Sequence, residues 1–254
     1  MHKGWIAGWA LAVAACSWEG GSFDRLEAEP ARGVNAGASN DSGADAQIDA
    51  FVARVVSDVD QTWARDFQRR NKPYVAARPV SVSARSPNPC AGVGPSADPK
   101  CRDAQAVYID FDFQRALHER FGGEAAAPQT YAIAHAKGHH VQKVLGLDRK
   151  AAELVASRPV AAHAVELQLE LQADCLAGIW TRVTKSTGTL GREQVERALR
   201  QASEVGEQRR LDQPRDAAPL LETFTYAIPR RRLFWFGKGF ASAKVEDCDT
   251  FESG

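Results

Sequence analysis

The 254-residue sequence has no excess of either charge, because 32 Lys and Arg residues are balanced by 32 Asp and Glu residues. A chain without a basic excess has no field to attract a polyanion, so we expect no nucleic-acid partner. The charges are unevenly spread, since residues 1–50 include seven acidic and three basic residues. With 44% hydrophobic residues, the chain can bury the core of one large domain or two small ones.

The N-terminus lacks an apolar run long enough to span a membrane. Gly4 to Ala15 are twelve uncharged residues after a short basic start. As a helix they would rise about 18 Å, against a hydrocarbon core of roughly 30 Å. This pattern is typical of an export signal, which we place at residues 1–15.

The five cysteines cannot all pair, because their number is odd. Val13-Ala14-Ala15-Cys16 resembles the lipobox of bacterial lipoproteins, in which the cysteine receives a lipid and becomes the new N-terminus. We therefore expect a membrane anchor at Cys16, to which each buried CH₂ of an acyl chain adds about 0.8 kcal/mol. Ser17 in place of Asp favours an outer-membrane lipoprotein of the bacterial cell envelope that faces the periplasm, or is exported. The alternative is ordinary signal cleavage near Ala15, with Cys16 incidental.

A linker is predicted between this anchor and the folded domain. Residues 16–46 are rich in Gly, Ala, Ser and acidic residues, and their apolar residues follow no period. Such a segment cannot bury enough surface to offset the entropy of ordering it, so we predict a flexible tether. Residues 47–254 then form the domain in which the function must lie.

Hydrophobic periodicity predicts a helix-dominated α+β domain with a small sheet. Apolar residues three and four apart between Gln47 and Arg70 indicate the first helix, and Pro73 ends it. The predicted strands cover residues 79–83 and 106–110, and the further helices cover residues 113–121, 129–146, 160–187 and 192–210. We expect an irregular C-terminal region with Pro214, Pro219 and Pro229 after them.

Two pairs of metal-binding residue types stand four apart on predicted helices. His135 and His139 therefore share one helix face, and so do Glu170 and Asp174. Histidine pairs at this spacing also occur by chance on surface helices, but the two carboxylates lie in an apolar run, where an unpaired charge is costly. Two imidazoles and the Glu170 carboxylate would make a three-ligand zinc set with a fourth position for water. Asp174 would then accept the free N–H of a histidine ligand and orient its ring.

The sequence resembles the bacterial neutral zinc metallopeptidase family from about Phe51 to Phe251. The resemblance includes Trp63, Phe67, Tyr74, the Cys90 to Cys101 loop, Val107-Tyr108-Ile109-Asp110, Ala134-His135, Gly138-His139-His140-Val141-Gln142, Glu170-Leu171-Gln172-Ala173-Asp174-Cys175-Leu176-Ala177-Gly178-Ile179-Trp180, Phe224-Thr225, Trp235-Phe236, Gly239-Phe240 and Cys248-Asp249-Thr250-Phe251. The Glu-Leu-Gln-Ala-Asp-Cys block is specific to the family. The resemblance implies a zincin-like domain with Zn²⁺ as its cofactor.

One position departs from the family motif His-Glu-x-x-His, in which the histidines bind zinc and the glutamate is the general base. This chain has Ala136 where that glutamate belongs, and a methyl group can neither take nor return a proton. Because a positioned base contributes roughly 10²–10⁴-fold, ordinary peptidase turnover should be lost or nearly lost. Further departures are Lys137, Val205-Gly206-Glu207-Gln208 and Phe224-Thr225-Tyr226-Ala227, and several changes together favour natural decay of the active site.

We therefore predict a metal-binding but catalytically impaired pseudo-peptidase that binds a peptide or an envelope protein. One alternative is an active zinc metalloendopeptidase in which a second water or Glu166, one turn before Glu170, supplies the base. A surface or supporting carboxylate is the other interpretation of Glu166. A further alternative is a metal-free structural lipoprotein whose fold has outlived its chemistry.

The remaining singular residues are given structural interpretations. We predict a hydrogen-bonded structural role for His140 and surface positions for His118 and His163. The run Arg230-Arg231-Arg232 beside Phe234-Trp235-Phe236 has too few arginines for a lipid or nucleic-acid patch, and we interpret it as a solvated turn. In an oxidising compartment we expect the disulfide pairs Cys90 with Cys101 and Cys175 with Cys248.

Overall fold

The computed structural model describes residues 41–83, 105–184, 192–212 and 229–251. These residues form the helices α1 (Asp41–Arg69), α2 (Phe111–Phe121), α3 (Ala126–Leu145), α4 (Leu147–Ser157), α5 (Ala162–Val183), α6 (Arg192–Asp212) and α7 (Pro229–Ser242). Short 3₁₀ turns cover Gly122–Glu124, Pro159–Ala161 and Val245–Cys248. Two parallel strands, β1 (Arg78–Val82) and β2 (Ala106–Asp110), pair from Arg78 with Ala106 to Val82 with Asp110. The predicted helix-dominated α+β class is confirmed.

Helix α1 contributes one apolar face to the hydrophobic core. Its buried apolar residues recur every three or four positions, from Ile48 through Val59 and Trp63 to Phe67. The helix begins at Asp41, six residues before the predicted start, so residues 41–46 are helical rather than part of a linker. An ion pair ties this first part to α2, because Asp45 accepts hydrogen bonds from Nε and Nη2 of Arg115 at 3.1 and 3.0 Å.

The sequence predicted an irregular C-terminal region, and this prediction is wrong for Pro229–Ser242, which form the helix α7. Proline lacks the N–H that an interior helix position needs, but the first turn leaves its N–H groups unsatisfied, so Pro229 fits there without cost. A short helix that was not predicted, α4, also follows α3 after Gly146, which has a φ of 72°.

Helices α3, α5 and α7 approach one another closely because glycines lie at their contacts. A Cβ added at Gly138 of α3 would lie 2.8 Å from the Ala173 carbonyl oxygen of α5. A Cβ added at Gly239 of α7 would lie only 1.9 Å from the Cys175 carbonyl oxygen. The backbones can therefore meet only where no side chain intervenes, and this contact brings the polar residues of three helices together.

A disulfide joins α5 to the C-terminal tail. Cys175 and Cys248 are bonded across a sequence separation of 73 residues, the pairing expected from the sequence, and both are buried. The predicted partners Cys90 and Cys101, like Cys16, lie outside the described residues. Within the described ranges, no helix is both long enough and apolar enough for a membrane span.

Candidate metal centre

The side chains of His135 and His139 on α3 meet that of Glu170 on α5. The two Nε2 atoms lie 3.2 Å apart. His135 Nε2 is 3.2 Å from one Glu170 carboxylate oxygen, and His139 Nε2 is 3.3 Å from the other. These are three of the residues that the spacing of the sequence placed in one site.

This arrangement fits a zinc ion. Bonds of about 2.0–2.2 Å at tetrahedral angles separate two ligand atoms by about 3.4 Å, close to the distance between the two Nε2 atoms. With one carboxylate oxygen taken from Glu170, the three ligand atoms lie within 4.8 Å of one another. The donor set of two imidazole nitrogens and one carboxylate is also one that zinc accepts with an open fourth position. The side chain of His135 is 2% exposed and that of Glu170 14%, whereas that of His139 is 39% exposed. Of the three candidate ligands, His139 is therefore the most accessible to solvent.

Asp174 lies behind His135 on the side away from solvent. Its Oδ1 is 2.9 Å from His135 Nδ1 and accepts a 2.5 Å hydrogen bond from the Tyr131 hydroxyl. The carboxylate is fully buried. Asp174 thus has the position that the sequence argument gave it, in contact with the free nitrogen of a histidine of the ligand set.

Arg232 of α7 completes this buried group, and its place contradicts the predicted solvated turn. Its guanidinium is fully buried, with Nε 2.9 Å from Asp174 Oδ2 and Nη2 3.2 Å from Asp174 Oδ1. Arg230 and Arg231 are exposed, as expected of the rest of that run. A buried carboxylate needs a partner charge, and Asp174 obtains it from a residue 58 positions along the chain.

The exposed ligand His139 is oriented by a chain of two glutamines. His139 Nδ1 is 2.9 Å from Gln142 Oε1, and the Gln142 amide nitrogen donates to the Leu169 carbonyl and to Gln172 Oε1 at 2.8 and 3.0 Å. Gln172 in turn donates to the Cys248 carbonyl at 2.9 Å. The disulfide-bonded tail is therefore connected to a residue of the candidate metal centre.

Neighbouring charges shift the pKa values in the site. Burial opposes the charged form of His135, but the Asp174 carboxylate outweighs burial and raises the pKa of His135 to about 9. Burial likewise opposes the ionised form of Glu170, but His139 and His135 hold its pKa well below its ordinary value. For Asp174, Arg232 and His135 overcome burial and lower the pKa. Opposite charges are thus paired within the site.

The general-base position is occupied by a methyl group. Ala136 lies on α3 between the two histidines and is 7% exposed. Glu166 is half-buried on α5, one turn before Glu170, and among the described residues it forms no hydrogen bond or ion pair with the three candidate ligands. Its role as a substitute base stays a prediction.

Lys137 and His140 face away from the candidate metal site, towards α1 and the segment after it. Lys137 is fully buried, with Nζ 2.5 Å from an Asp60 carboxylate oxygen that also accepts from the Tyr74 hydroxyl at 2.6 Å. His140 Nε2 lies 2.7 Å from the Val75 carbonyl, which agrees with the structural role predicted for it. The exposed His163 and the half-buried His118 lie outside the ligand set.

Comparison with known proteins decides the family. A sequence profile described as "Putative neutral zinc metallopeptidase" matches residues 6–251. The chain belongs to the neutral zinc metallopeptidase family. It is 31% identical over 203 residues to the Escherichia coli K12 protein named "Uncharacterized protein YpfJ", covering 79% of this chain and 70% of that one.

A mycobacterial relative extends the comparison. The chain is 30% identical over 225 residues to "Uncharacterized protein Rv2575" of Mycobacterium tuberculosis H37Rv, covering 84% of this chain and 74% of the relative. No solved structure matches the chain. Membership in the neutral zinc metallopeptidase family implies zinc, and His135, His139 and Glu170 form the possible metal site of this member.

Proposed function

We propose that this neutral zinc metallopeptidase family member is a pseudo-peptidase. In this proposal His135, His139 and Glu170 hold zinc, while peptide-bond hydrolysis is lost or nearly lost because Ala136 has no proton-transfer group. The observation that supports it is the contrast between a set of three candidate ligands, with ligand atoms within 4.8 Å of one another, and a methyl group at the base position.

The size of the expected defect follows from the missing step. A bound zinc ion would supply Lewis-acid polarisation to a peptide carbonyl. The protein would still have to take a proton from the attacking water and give one to the leaving amine, and no group at position 136 can do either. The loss of such a base costs about 10²–10⁴-fold, or about 3–5 kcal/mol in the barrier.

The retained role in this proposal is binding of a peptide segment or an envelope protein beside His139, which is the most exposed of the three candidate ligands. We also propose that the chain acts at the bacterial outer membrane as a lipoprotein attached through Cys16. The support for the anchor is the Val13-Ala14-Ala15-Cys16 motif and the following Ser17.

Metal analysis tests the first half of the proposal. Untagged protein that is equilibrated with zinc and then desalted should retain about one zinc per chain. His139→Ala should lose most of this metal, whereas the control His163→Ala, which changes an exposed histidine on α5, should retain it. If the wild-type protein holds no zinc, the metal-free structural lipoprotein becomes the better account.

A protease assay tests the second half. The zinc-loaded wild-type protein should not cleave an unstructured protein substrate above the rate of His139→Ala protein. Cleavage that is sensitive to chelators and abolished by Glu170→Ala would contradict the pseudo-peptidase. Cleavage that Glu166→Gln also abolished would support the active enzyme with Glu166 as its base.

A further inference from the structure

We propose that Arg232 is a positioning residue for the metal site. Arg232 contacts Asp174, and Asp174 in turn contacts His135. The inference rests on the proposed zinc site and adds to it a residue outside the ligand motif, from a helix 97 residues after His135.

The contacts define a buried, ordered group. Asp174 Oδ1 is shared by His135 Nδ1 at 2.9 Å and the Tyr131 hydroxyl at 2.5 Å, and Oδ2 faces Arg232 Nε at 2.9 Å. Both carboxylate oxygens therefore have a positive or donating neighbour. Because the plane of a carboxylate decides where each oxygen lies, the hydrogen bond from Arg232 Nη2 to Oδ1 and the ion-pair contact of Nε with Oδ2 together hold the oxygen that faces His135.

Arg232 also lies close to the ligands themselves. Its Nη2 is 3.3 Å from His135 Nδ1 and 3.9 Å from a Glu170 oxygen, and the whole side chain is buried. Truncation of this side chain would remove both the partner charge of Asp174 and the atoms that pack beside the His135 ring. The ring would then be free to rotate away from the direction in which its Nε2 meets the other ligands.

Electrostatics and positioning predict opposite results, which makes the inference testable. Arg232 is a buried positive charge near the place of a divalent cation, so Coulomb repulsion alone predicts that its removal strengthens zinc binding. Positioning predicts the reverse, since loss of a partner in the outer layer of a metal site costs about 10–100-fold in affinity. The sign of the change therefore decides between the two.

The chain offers a control in a second arginine–aspartate pair, which is partly buried. Arg209 of α6 meets Asp110 through two nitrogens at 2.8 and 3.2 Å, and Asp110 caps α2. This pair has the same chemistry as that of Arg232 and Asp174, but Asp110 is not bonded to a candidate ligand. Arg209→Met therefore reproduces the loss of an arginine–carboxylate pair without the proposed effect on the metal.

The experiment measures the zinc dissociation constant of the full domain by competition with a chromophoric chelator. Arg232→Met should weaken zinc binding about 10–100-fold, and Asp174→Asn should do the same. The double variant should lose no more than the worse single variant, because both act through His135. Arg209→Met should stay within about threefold of the wild type.

Two further measurements separate positioning from loss of folding. Far-ultraviolet circular dichroism of the metal-free proteins identifies variants that do not fold. If Arg232→Met does not fold, it is replaced by Arg232→Lys, which keeps the charge but not the two-nitrogen contact. The visible absorption of the cobalt-substituted protein should change in Arg232→Met and Arg232→Lys but not in Arg209→Met. Unchanged or tighter zinc binding by a folded Arg232 variant would overturn the inference, whereas failure of the wild type to bind zinc would overturn the proposed function instead.

Discussion

Among single residues, Ala136 has the largest chemical consequence. It lies between two histidines one helical turn apart, and its substitution removes a proton-transfer group without removing a ligand. The ligands keep their mutual distances because their positions depend on α3, α5 and the residues behind them. Loss of the base and retention of the metal site are therefore separable, and position 136 can be changed back.

Ala136→Glu should restore measurable peptidase activity, by about 10²–10⁴-fold over the wild type, because it returns a base to an otherwise complete site. The gain is measured as zinc-dependent cleavage of an unstructured protein substrate. Ala136→Gln is the control, since it has the same shape but cannot take a proton. A folded, zinc-loaded Ala136→Glu protein without any gain would show that the other departures from the family pattern also disable the site.

The sequence predicts the candidate ligands better than the residues that support them. His135, His139 and Glu170 can be predicted because spacing along two helices is local information. Arg232 was not, because its partner Asp174 lies on another helix and the arginine stands in a run of three. A signal was nevertheless present: Arg232, Trp235, Phe236 and Gly239 are spaced as i, i+3, i+4 and i+7 and are all buried, the pattern of the inner face of a helix.

At the scale of secondary-structure elements, the contact between α5 and α7 carries Arg232 to Asp174. The contact needs Gly239 beside the Cys175 carbonyl and Gly178 beside the Phe236 carbonyl. Helix α7 differs from the irregular region expected from the sequence, because Pro229 lies at a first helical position, where proline favours a helix. Local periodicity did predict most of α1, both strands and α6.

Gly239→Ala should destabilise the protein by about 1–3 kcal/mol, because its Cβ would overlap the Cys175 carbonyl and push α7 away from α5. The measurement is the free energy of unfolding in urea. Gly237→Ala on the same helix is the matched control, since an added Cβ there meets nothing within 4 Å. It should be neutral or stabilise the helix by up to about 1 kcal/mol. Equal effects of the two changes would contradict the close helix contact.

Replacement of both Cys175 and Cys248 by alanine should lower the free energy of unfolding by about 2–4 kcal/mol, since the bond closes a long loop in the unfolded chain. Denaturation in urea measures the change, and the double variant is used so that no other cysteine pair is reduced. An unchanged unfolding midpoint would mean that this disulfide does not stabilise the domain.

At the scale of the whole molecule, a helix-dominated domain with a small sheet could be predicted, because the spacing of apolar residues distinguishes helices from strands. The parallel pairing of β1 and β2 could not be predicted, because strand direction depends on the path of the chain between them. The start of the folded part was also placed too late. Asp41–Ala46 resemble a linker in composition, but α1 includes them, and Asp45 pairs with Arg115 of α2.

Cys16→Ser should release the protein from membranes, because the proposed acyl chains have no other attachment point and a signal-cleaved chain keeps no apolar N-terminus. Cell fractionation of the full-length chain in a bacterial host measures the membrane-bound share. Ser17→Asp is the paired variant, and it should stay membrane-bound but move from the outer-membrane to the inner-membrane fraction. A Cys16→Ser protein that still sediments fully with membranes would refute the lipid anchor.

The two-glutamine chain behind His139 has a consequence for proton placement. An amide presents an oxygen on one side and an NH₂ on the other, so the carbonyls of Leu169 and Cys248, which only accept, dictate which way Gln142 and Gln172 point. Gln142 must then offer its oxygen to His139, which places the imidazole proton on Nδ1 and leaves the Nε2 lone pair for a metal. Two backbone oxygens thus orient the Gln142 amide so that its oxygen faces His139 Nδ1.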